Sequence, residues 1–354
     1  GKLDSDKATN GPLSAGIPGE PAAYVWLAEH YGKLPLKASL APAIRIAREG
    51  FSVYSRLHRS IDRRSAVLSR WPASAQLYLV DGKAPEAGST WRNPDIANTL
   101  ERIARHGNDG FYRGEFASKL VDSVRASGGI WTLEDLDSYV VKERAPITLN
   151  YRGWKILTAP PPSSGGIVLG EMLNMLAGYD LAKLDQVHRV HLSVEAMRRA
   201  YRDRAEYLGD PDYVEMPINE LLSPLYAAGL RASIHPEKAT PSDLLPGYMP
   251  PGEPEHTTHY SIIDADGNMA SVTKTVNLTL GSGFVVEGTG FVLNDEMDDF
   301  ALLPGQANAF GLVGGEANAP KAGRRPLSSM TPSMVIGEDR VGVIGTPGGS
   351  RIIT

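Results

Sequence analysis

The sequence has 354 residues, of which 42% are hydrophobic and 22% charged, and its formal net charge is −5. This length supports one or two domains with a large core, and the acidic balance argues against a nucleic-acid partner or an anionic membrane held by bulk charge. The absence of cysteine excludes disulfides, thiolate nucleophiles and cysteine-ligated metals, and no apolar run reaches the roughly 20 residues that cross a bilayer as a helix.

Apolar residues spaced near 3.6 predict helices through most of the first 234 residues. The segment TLEDLDSY, residues 132–139, also predicts a helix start, because its threonine precedes acidic residues as in a capping box. The PPPSSGG run, residues 160–166, predicts a rigid loop that leads into another helix. The clearest helical segments are residues 20–32, 34–51, 94–107, 115–129 and 187–210.

Strand patterns flank a loop and dominate the last third of the chain. Residues 145–159 alternate in hydrophobicity and predict a strand pair with a turn near residues 150–153. Residues 235–256 are rich in proline, glycine and charge and predict an exposed linker. After it, residues 257–275 predict two strands around an Asp266–Gly267 turn. Further short strands or strand ends are predicted in residues 288–295, 329–337 and 340–349.

The junction PEHTTHYS, residues 254–261, carries two candidate nucleophiles, Thr257 and Thr258. A threonine hydroxyl needs a base, and a threonine that begins a chain can use its own α-amine. That amine has an ordinary pKa of about 7.7–8.0, which suits a general base. Cleavage in the proline-rich loop would expose it. The alternative is that both threonines only begin a strand, because β-branched residues are common there.

The histidines do not form a convincing metal pattern. His256 and His259 are three residues apart on a predicted strand, so they lie on opposite faces. His188 and His191 share a helix face, but no carboxylate accompanies them in a ligand pattern. We therefore predict no metal site and no cofactor.

Three other segments offer groups for acyl transfer, each with an ordinary alternative. TPGGSR, residues 346–351, could direct backbone N–H groups at an oxyanion or be a simple glycine turn. RRPLSSM, residues 324–330, could bind a carboxylate or be a surface loop. NDEMDDF, residues 294–300, groups four carboxylates that could bind a metal or an ammonium, or could form a solvated acidic loop.

Taken together, these segments resemble the γ-glutamyltransferase (γ-glutamyl transpeptidase) family of N-terminal-nucleophile hydrolases. The resemblance covers nearly the whole chain and rests on the order and spacing of short motifs. These are AGIPG, YGKLPL, PPPSSGG, RAEYLGDPD, TTHYS, NDEMDDF, RPLSSMTP and PGGSRIIT.

The resemblance implies a zymogen that cleaves itself between His256 and Thr257. Thr257 would then attack the γ-carbonyl of glutathione or another γ-glutamyl compound and hold the acyl group as an ester. Water would complete a hydrolysis, and an amino acid or peptide amine would complete a transfer. Thr275 matches the threonine that orients the nucleophile, and Gly348 and Gly349 match the oxyanion-hole pair.

The resemblance also assigns the substrate contacts. Asn277, Glu296 and Asp299 match positions that bind the α-amino group, and Ser328 and Ser329 match the pair that binds the α-carboxylate. Residues 300–324 match a loop that covers the pocket, with Phe310 where many bacterial members have a tyrosine. The family's arginine for the α-carboxylate precedes anything in this chain, and its final strands follow it. We therefore expect the chain to be a fragment.

The implied fold is α+β, a four-layer αββα sandwich with two stacked antiparallel sheets between helical layers. Residues 1–256 would be the mostly helical large-subunit portion, and residues 257–354 the β-rich, C-terminally incomplete small-subunit portion. These two subunits would pair and form one structural domain after processing. By resemblance alone, the protein is expected to be periplasmic or secreted, with no nucleic-acid partner and no membrane span.

Two alternatives remain. A glutaryl or cephalosporin acylase of the same superfamily would use a similar nucleophile, but Asn277, Glu296 and Asp299 would then have no ammonium to bind. A non-catalytic, unprocessed fragment would serve only in binding or assembly. The sequence leaves open the preferred acceptor, the balance of hydrolysis and transfer, and the oligomeric state.

Overall fold

The structure is a computed structural model that describes residues 3–241, 244–245, 257–349 and 352–353. Its helices are α1 (Ser5–Thr9), α2 (Glu20–His30), α3 (Leu36–Glu49), α4 (Ser55–Leu68), α5 (Pro72–Tyr78), α6 (Pro94–His106), α7 (Asp109–Tyr112), α8 (Gly114–Ala126), α9 (Leu133–Asp137), α10 (Gly165–Leu176), α11 (Gln186–Tyr207), α12 (Ile218–Leu221) and α13 (Pro224–Ala232). Its strands are β1 (Phe51–Ser52), β2 (Thr90–Trp91), β3 (Ile147–Tyr151), β4 (Trp154–Thr158), β5 (Thr257–Ile263), β6 (Met269–Thr275), β7 (Ser333–Ile336) and β8 (Val341–Ile344).

The chain divides into two compact units. The helical unit comprises Asp4–Glu143 and Leu278–Glu296, and the sheet unit comprises Gly1–Leu3, Arg144–Asn277 and Met297–Thr354. The sheet unit therefore takes chain from both sides of the predicted cleavage point. The predicted large and small portions, residues 1–256 and 257–354, would be products of processing rather than these compact units, and that division stays a prediction.

The helical unit is built on amphipathic helices. In α8, Ala117, Leu120, Val121 and Val124 are buried at the spacing of one helix face, and they pack in a core around Phe111.

Capping residues set the helix starts of this unit. The Asn93 side chain accepts a hydrogen bond from the Ile96 N–H, and Pro94 occupies the first turn of α6. Thr132 and Asp135 form the predicted capping box at the start of α9.

The sheet unit contains a four-stranded antiparallel sheet in the order β3–β4–β7–β8. Helix α10 packs against β3 and against α11, and its buried side chains include Ile167, Val168, Met172 and Met175. Strands β4 and β7 come from opposite sides of the predicted cut, so their ladder would hold both pieces in one sheet.

Strands β5 and β6 form an antiparallel hairpin in register from Thr257 opposite Thr275 to Ile263 opposite Met269. Its turn is closed by Asp264, which accepts hydrogen bonds from the backbone of Asp266 and Asn268. The hairpin also contacts β7 and β8. Helices and antiparallel sheets in one chain confirm the predicted α+β class.

Most predicted elements are confirmed, including α2, α3, α6, α8 to α11 and the two strand pairs. The strand predicted in residues 288–295 is wrong: this segment contributes only a single bridge, Val285 with Val292. Gly288 and Gly290 have φ values of 71° and 75°, so the backbone turns there rather than running extended. Helix α4, which buries Ile61 and Leu68, was not predicted.

The predicted linker is described only in part, and residues 246–256, with His256, lie outside the described residues. Within the part of the chain that is described, no helix is long and apolar enough to cross a membrane.

A buried ion-pair network on α11 holds the beginning of this linker. Glu195 is 1% exposed and forms ion pairs with Arg198 and Arg199. It also accepts hydrogen bonds from the backbone N–H and the hydroxyl of Thr240. Burial alone would raise the pKa of Glu195, but the bonds from Thr240, Arg199 and Arg198 outweigh it and lower the pKa to about 2. Thr240 is therefore anchored to the helix.

A second buried acid, Glu171 on α10, has another acid as its neighbour. It is 1% exposed, and the polar group it meets is the carboxyl of Asp203. Burial and the nearby negative charge of Asp203 raise its pKa well above the usual range. The Tyr226 hydroxyl donates to Asp203, so Asp203 is the better-satisfied acid of the two.

Because its pKa is raised in the folded state, Glu171 keeps a proton that the unfolded chain releases once the pH exceeds the ordinary carboxyl pKa. Stability should therefore fall as the pH rises from that value through the folded pKa. Glu171→Gln cannot ionise, so we expect it to raise stability at pH 8 by about 1–3 kcal/mol and to flatten the pH dependence. Thermal unfolding between pH 5 and pH 9 measures this, with exposed Glu220→Gln as the control. A Glu171→Gln protein less stable than the parent at pH 8 would contradict the account.

Candidate active site

The two threonines at the open end of the β5–β6 hairpin lie directly opposite each other. Thr257 begins β5, Thr275 ends β6, and the register pairs them. The Thr257 hydroxyl donates to the Thr275 Oγ1 at 3.4 Å, and the Asn277 N–H donates to the same oxygen at 3.0 Å. Residues paired across an antiparallel hairpin share a face, so strand geometry alone brings the hydroxyls together.

Asn277 follows the hairpin in a left-handed conformation, with φ 71°. Asparagine tolerates this region better than most residues because its short amide can bond locally. Its side chain forms a hydrogen bond with Asp298, which lowers the pKa of that acid relative to burial alone. The turn after β6 is thereby tied to the acidic segment.

The PPPSSGG loop holds the Ser328–Met330 segment. The backbone N–H and hydroxyl of Ser164 both donate to the Ser328 carbonyl at 2.8 Å, and the Ser328 N–H donates to the Pro162 carbonyl at 2.8 Å. A Cβ on Gly165 would come within 2.5 Å of the Thr331 hydroxyl. Glycine is therefore needed where the loop meets this segment.

These contacts leave the two serine hydroxyls as donors. Ser328 Oγ accepts from the Met330 N–H at 3.0 Å, and Ser329 Oγ accepts from Arg204 Nη2 at 3.2 Å. Each oxygen receives one donor, and each O–H remains able to donate to a bound group. Paired hydroxyl donors are suited to a carboxylate.

One cavity in the sheet unit brings most of the predicted site residues together. Among the described residues, Gly348 and Glu296 do not line it. Gly348 adjoins Gly349, and Glu296 begins a 3₁₀ turn. The lining residues are Thr257, Thr275, Asn277, Asp299, Phe310, Ser328, Ser329, Met330, Gly349 and Ile352.

Two adjacent acids give the site its negative charge. Asp298 is 2% exposed and accepts from the Ala309 N–H at 3.0 Å, and burial raises its pKa to about 6. Asp299 is half-buried and lines the cavity. Burial and the charge of Asp298 raise the pKa of Asp299 to about 7, against a lowering by Arg204. A cationic ligand would favour the ionised form of this pair.

The glycine pair has backbone angles that favour glycine, with φ 139° at Gly348 and 69° at Gly349. A Cβ on Gly349 would stand 2.8 Å from Phe310 Cε1, so Phe310 packs directly on this loop. Phe310 is itself buried. The residue predicted as part of the covering loop therefore closes one wall of the cavity.

His259 is bound within the hairpin. Its Nδ1 contacts the Thr273 hydroxyl at 2.7 Å, and its Nε2 contacts the Ser261 hydroxyl at 2.9 Å. Burial lowers its pKa, which favours the neutral ring. No group of three or more metal-ligating side chains occurs within the described ranges.

Sequence reasoning missed Arg204, which contacts Ser329 from α11. The residue lies in the RAEYLGDPD motif, but a charge in a helical pattern is normally assigned to the solvent face. Its burial, at 5% exposed, depends on distant loops. The only sequence signal was the density of arginine and acid on one helix.

Comparison with known proteins identifies the family. A family model described as Gamma-glutamyltranspeptidase matches residues 2–354. The glutathione hydrolase proenzyme of Pseudomonas sp. (strain A14) is 44% identical over 358 residues, covering 100% of this chain and 62% of the relative. The corresponding proenzyme of Escherichia coli (strain K12) is 40% identical over 359 residues, with the same coverage. The chain thus spans less than two thirds of the length of these curated relatives.

A solved structure shows the same fold relationship. The cephalosporin acylase from Bacillus halodurans matches with a TM-score of 0.80 at 31% identity, covering 95% of this chain and 60% of that one. The predicted fold relationship is therefore confirmed in three dimensions. A family match over nearly every residue, together with these identities, shows that the chain belongs to the gamma-glutamyltranspeptidase family.

Proposed function

We propose that the protein transfers or hydrolyses γ-glutamyl groups, taking glutathione or a similar compound as donor, after it cleaves itself before Thr257. The observation that carries this proposal is the Thr257–Thr275 hydroxyl pair in a cavity that also contains two serine hydroxyls and Asp299. The named relatives, glutathione hydrolase proenzymes, support the same activity.

Self-cleavage requires the Thr257 hydroxyl to act on the preceding peptide. Its Oγ1 attacks the His256 carbonyl carbon, the C–N bond breaks, and the nitrogen takes a proton to become the α-amine of Thr257. Water then hydrolyses the ester, which releases the His256 carboxylate and restores the hydroxyl. In this scheme Thr275 holds Thr257 Oγ1 in place throughout.

In turnover, the new α-amine takes the hydroxyl proton while Oγ1 attacks the γ-carbonyl of the donor. The N–H groups of Gly348 and Gly349 are proposed to stabilise the oxyanion. The leaving amine takes the proton, and a γ-glutamyl ester of Thr257 remains. Water or an acceptor amine then attacks this ester, and Thr257 Oγ1 leaves with a proton.

The glutamyl moiety carries both charges that the cavity can bind. Ser328 and Ser329 are proposed to donate to its α-carboxylate. Asp299, with Asn277 and Glu296, is proposed to bind its α-ammonium, which would favour the ionised carboxylate. The donor's γ-carbonyl would then face Thr257.

Cleavage need not separate the two products. Strands β4 and β7 pair along four residues each, so the large and small portions would stay joined through the sheet. The family resemblance further implies an exported protein, in the periplasm or the medium.

A second candidate is a glutaryl or cephalosporin acylase, which the similarity to the Bacillus halodurans acylase favours. Such an enzyme would use Thr257 in the same way. It would not need Asp299, because a glutaryl group has no ammonium. The acidic pair therefore favours the γ-glutamyl substrate. An inert, unprocessed fragment is the remaining alternative.

Replacing the nucleophile tests the proposal. Thr257→Ala should lower release of nitroaniline from γ-glutamyl p-nitroanilide by at least about a thousandfold, because no covalent ester can form. Thr257→Ser retains a hydroxyl and an amine and should keep measurable turnover. Thr258→Ala, the exposed neighbour, is the matched control and should stay within about threefold of the parent. Turnover by Thr257→Ala at the parent's rate would end the assignment.

The pH dependence of kcat/KM for two substrates tests the substrate class. Burial raises the pKa values of both Asp298 and Asp299, so the pair takes up a proton on acidification. The kcat/KM for γ-glutamyl p-nitroanilide should therefore fall as the pH is lowered from 8. Glutaryl p-nitroanilide reports the Thr257 amine alone, since it carries no ammonium. The γ-glutamyl to glutaryl ratio of kcat/KM should therefore decrease on acidification.

Asp299→Asn is the control for this ratio, because its amide does not titrate. The variant should make the ratio less dependent on pH, with only Asp298 left to titrate, and lower it by about 10- to 100-fold at pH 8. A parent enzyme that prefers the glutaryl compound at pH 8 would instead establish the acylase.

A further inference from the structure

Arg204 is a buried cation that donates to two serine hydroxyls. It is 5% exposed, its Nε donates to Ser164 Oγ at 2.9 Å, and its Nη2 donates to Ser329 Oγ at 3.2 Å. Among the residues that the structure describes, no carboxylate forms an ion pair with it. Burial lowers its pKa and the charge of Asp299 raises it, but a guanidinium remains protonated in proteins.

An unpaired buried charge is costly, so such a residue needs a compensating anion or a specific use. Arg199 lies earlier on the same helix, α11, and is also buried, at 2% exposed. Unlike Arg204, it forms an ion pair, with Glu195. Among the described residues, the hydrogen-bond partners of Arg204 are neutral hydroxyls, and the charge of Asp299 acts on it without forming an ion pair. Its charge is therefore available to an anion bound on the far side of one of those hydroxyls.

An anion that interacts with Arg204 is best placed on the side that faces Ser329. Ser329 lines the Thr257 cavity, whereas Arg204 does not. Arg204 instead borders a neighbouring cavity together with Asp298 and Asp299, and Asp299 lines the Thr257 cavity as well. Within the Thr257 cavity, Ser329 is the lining residue that accepts from the guanidinium. A carboxylate is therefore favoured beside Ser329, where the hydroxyl can donate its own proton onward.

We propose that Arg204 is the positioning cation of the carboxylate subsite: it fixes the Ser329 hydroxyl as a donor and makes the cavity select substrates with an α-carboxylate. This inference rests on the proposed γ-glutamyl function. A hydrogen bond polarised by a guanidinium is stronger than a neutral one, and the charge lies one hydroxyl away from the carboxylate in a partly dry site. Ser164 supports the arrangement by accepting from Nε.

The test compares two anilides that differ only in the α-carboxylate. γ-Glutamyl p-nitroanilide has it, and 4-aminobutyryl p-nitroanilide lacks it but keeps the ammonium. In the Arg204→Gln protein, kcat/KM for the γ-glutamyl compound should fall by about 10- to 100-fold, mainly through KM. The 4-aminobutyryl compound should change by about twofold or less, so the discrimination between the substrates decreases.

Three further variants separate positioning from folding. Arg204→Lys keeps the charge and should restore part of the discrimination. Ser329→Ala removes the hydroxyl, and with Arg204→Gln it should show much less than the product of the single effects. Arg199→Gln is the matched control for loss of a buried arginine, and it should leave the substrate ratio unchanged. Equal losses for both substrates in Arg204→Gln, or independent effects of Arg204 and Ser329, would overturn the proposal.

A binding readout keeps this test separate from the proposed activity. Thermal unfolding with L-glutamate or 4-aminobutyrate measures carboxylate recognition without turnover. L-Glutamate should stabilise the parent more strongly than 4-aminobutyrate does, and Arg204→Gln should remove the difference. If that pattern holds in a parent protein that cleaves neither anilide, the proposed function fails while the role of Arg204 stands. If L-glutamate stabilises Arg204→Gln as well as the parent, the role of Arg204 fails.

Discussion

The pairing of Thr257 with Thr275 across the open end of one hairpin is the constraint on which the site depends. The register of β5 and β6 places both hydroxyls on one face, and the Asn277 N–H fixes the second of them. A shift of one residue would turn Thr257 to the opposite face. Because the hairpin also contacts the strand before the Gly348–Gly349 turn, that register also sets the relation between the nucleophile and the glycine loop.

Around this pair, the sheet unit uses buried polar groups that a stable core does not need. The acids Asp298 and Asp299 stand side by side with raised pKa values, and Arg204, behind a serine hydroxyl, forms no ion pair with a carboxylate in the part of the chain that is described. Each arrangement costs free energy in the empty protein. Both become favourable when a ligand supplies an ammonium and a carboxylate at the spacing found in an amino acid. Buried groups with perturbed pKa values cluster at functional sites.

Local patterns were sufficient to predict much of the fold. The hairpin pairs seven residues on each side of an Asp–Gly turn, and α6, α8 and α11 follow a helical period, so neighbours in the sequence determine them. Residues 288–295 were predicted as a strand or strand end from their apolar residues, but Gly288 and Gly290 turn the backbone there. The resemblance carried by the short motifs, rather than the patterns alone, predicted most of the residues that line the cavity.

The remaining features depend on contacts between distant parts of the chain. Arg204 reaches Ser329 across 125 positions of sequence, and Glu195 reaches Thr240 across 45. A charged side chain on a helix gives no local sign of such a partner. Ser328 and Ser329 also depend on a distant segment. The motif indicated that their hydroxyls could bind a carboxylate, but only the structure shows that the PPPSSGG loop holds them.

The central claim is that the hydroxyl and the α-amine of one threonine act together, and the intact masses and N-terminal sequences of the active protein test it most directly. The account predicts two polypeptides in equal amounts, the smaller beginning Thr-Thr-His-Tyr with a free amine at Thr257. A fully active preparation that consists of one uncut polypeptide, or whose second N-terminus lies at another residue, would contradict it.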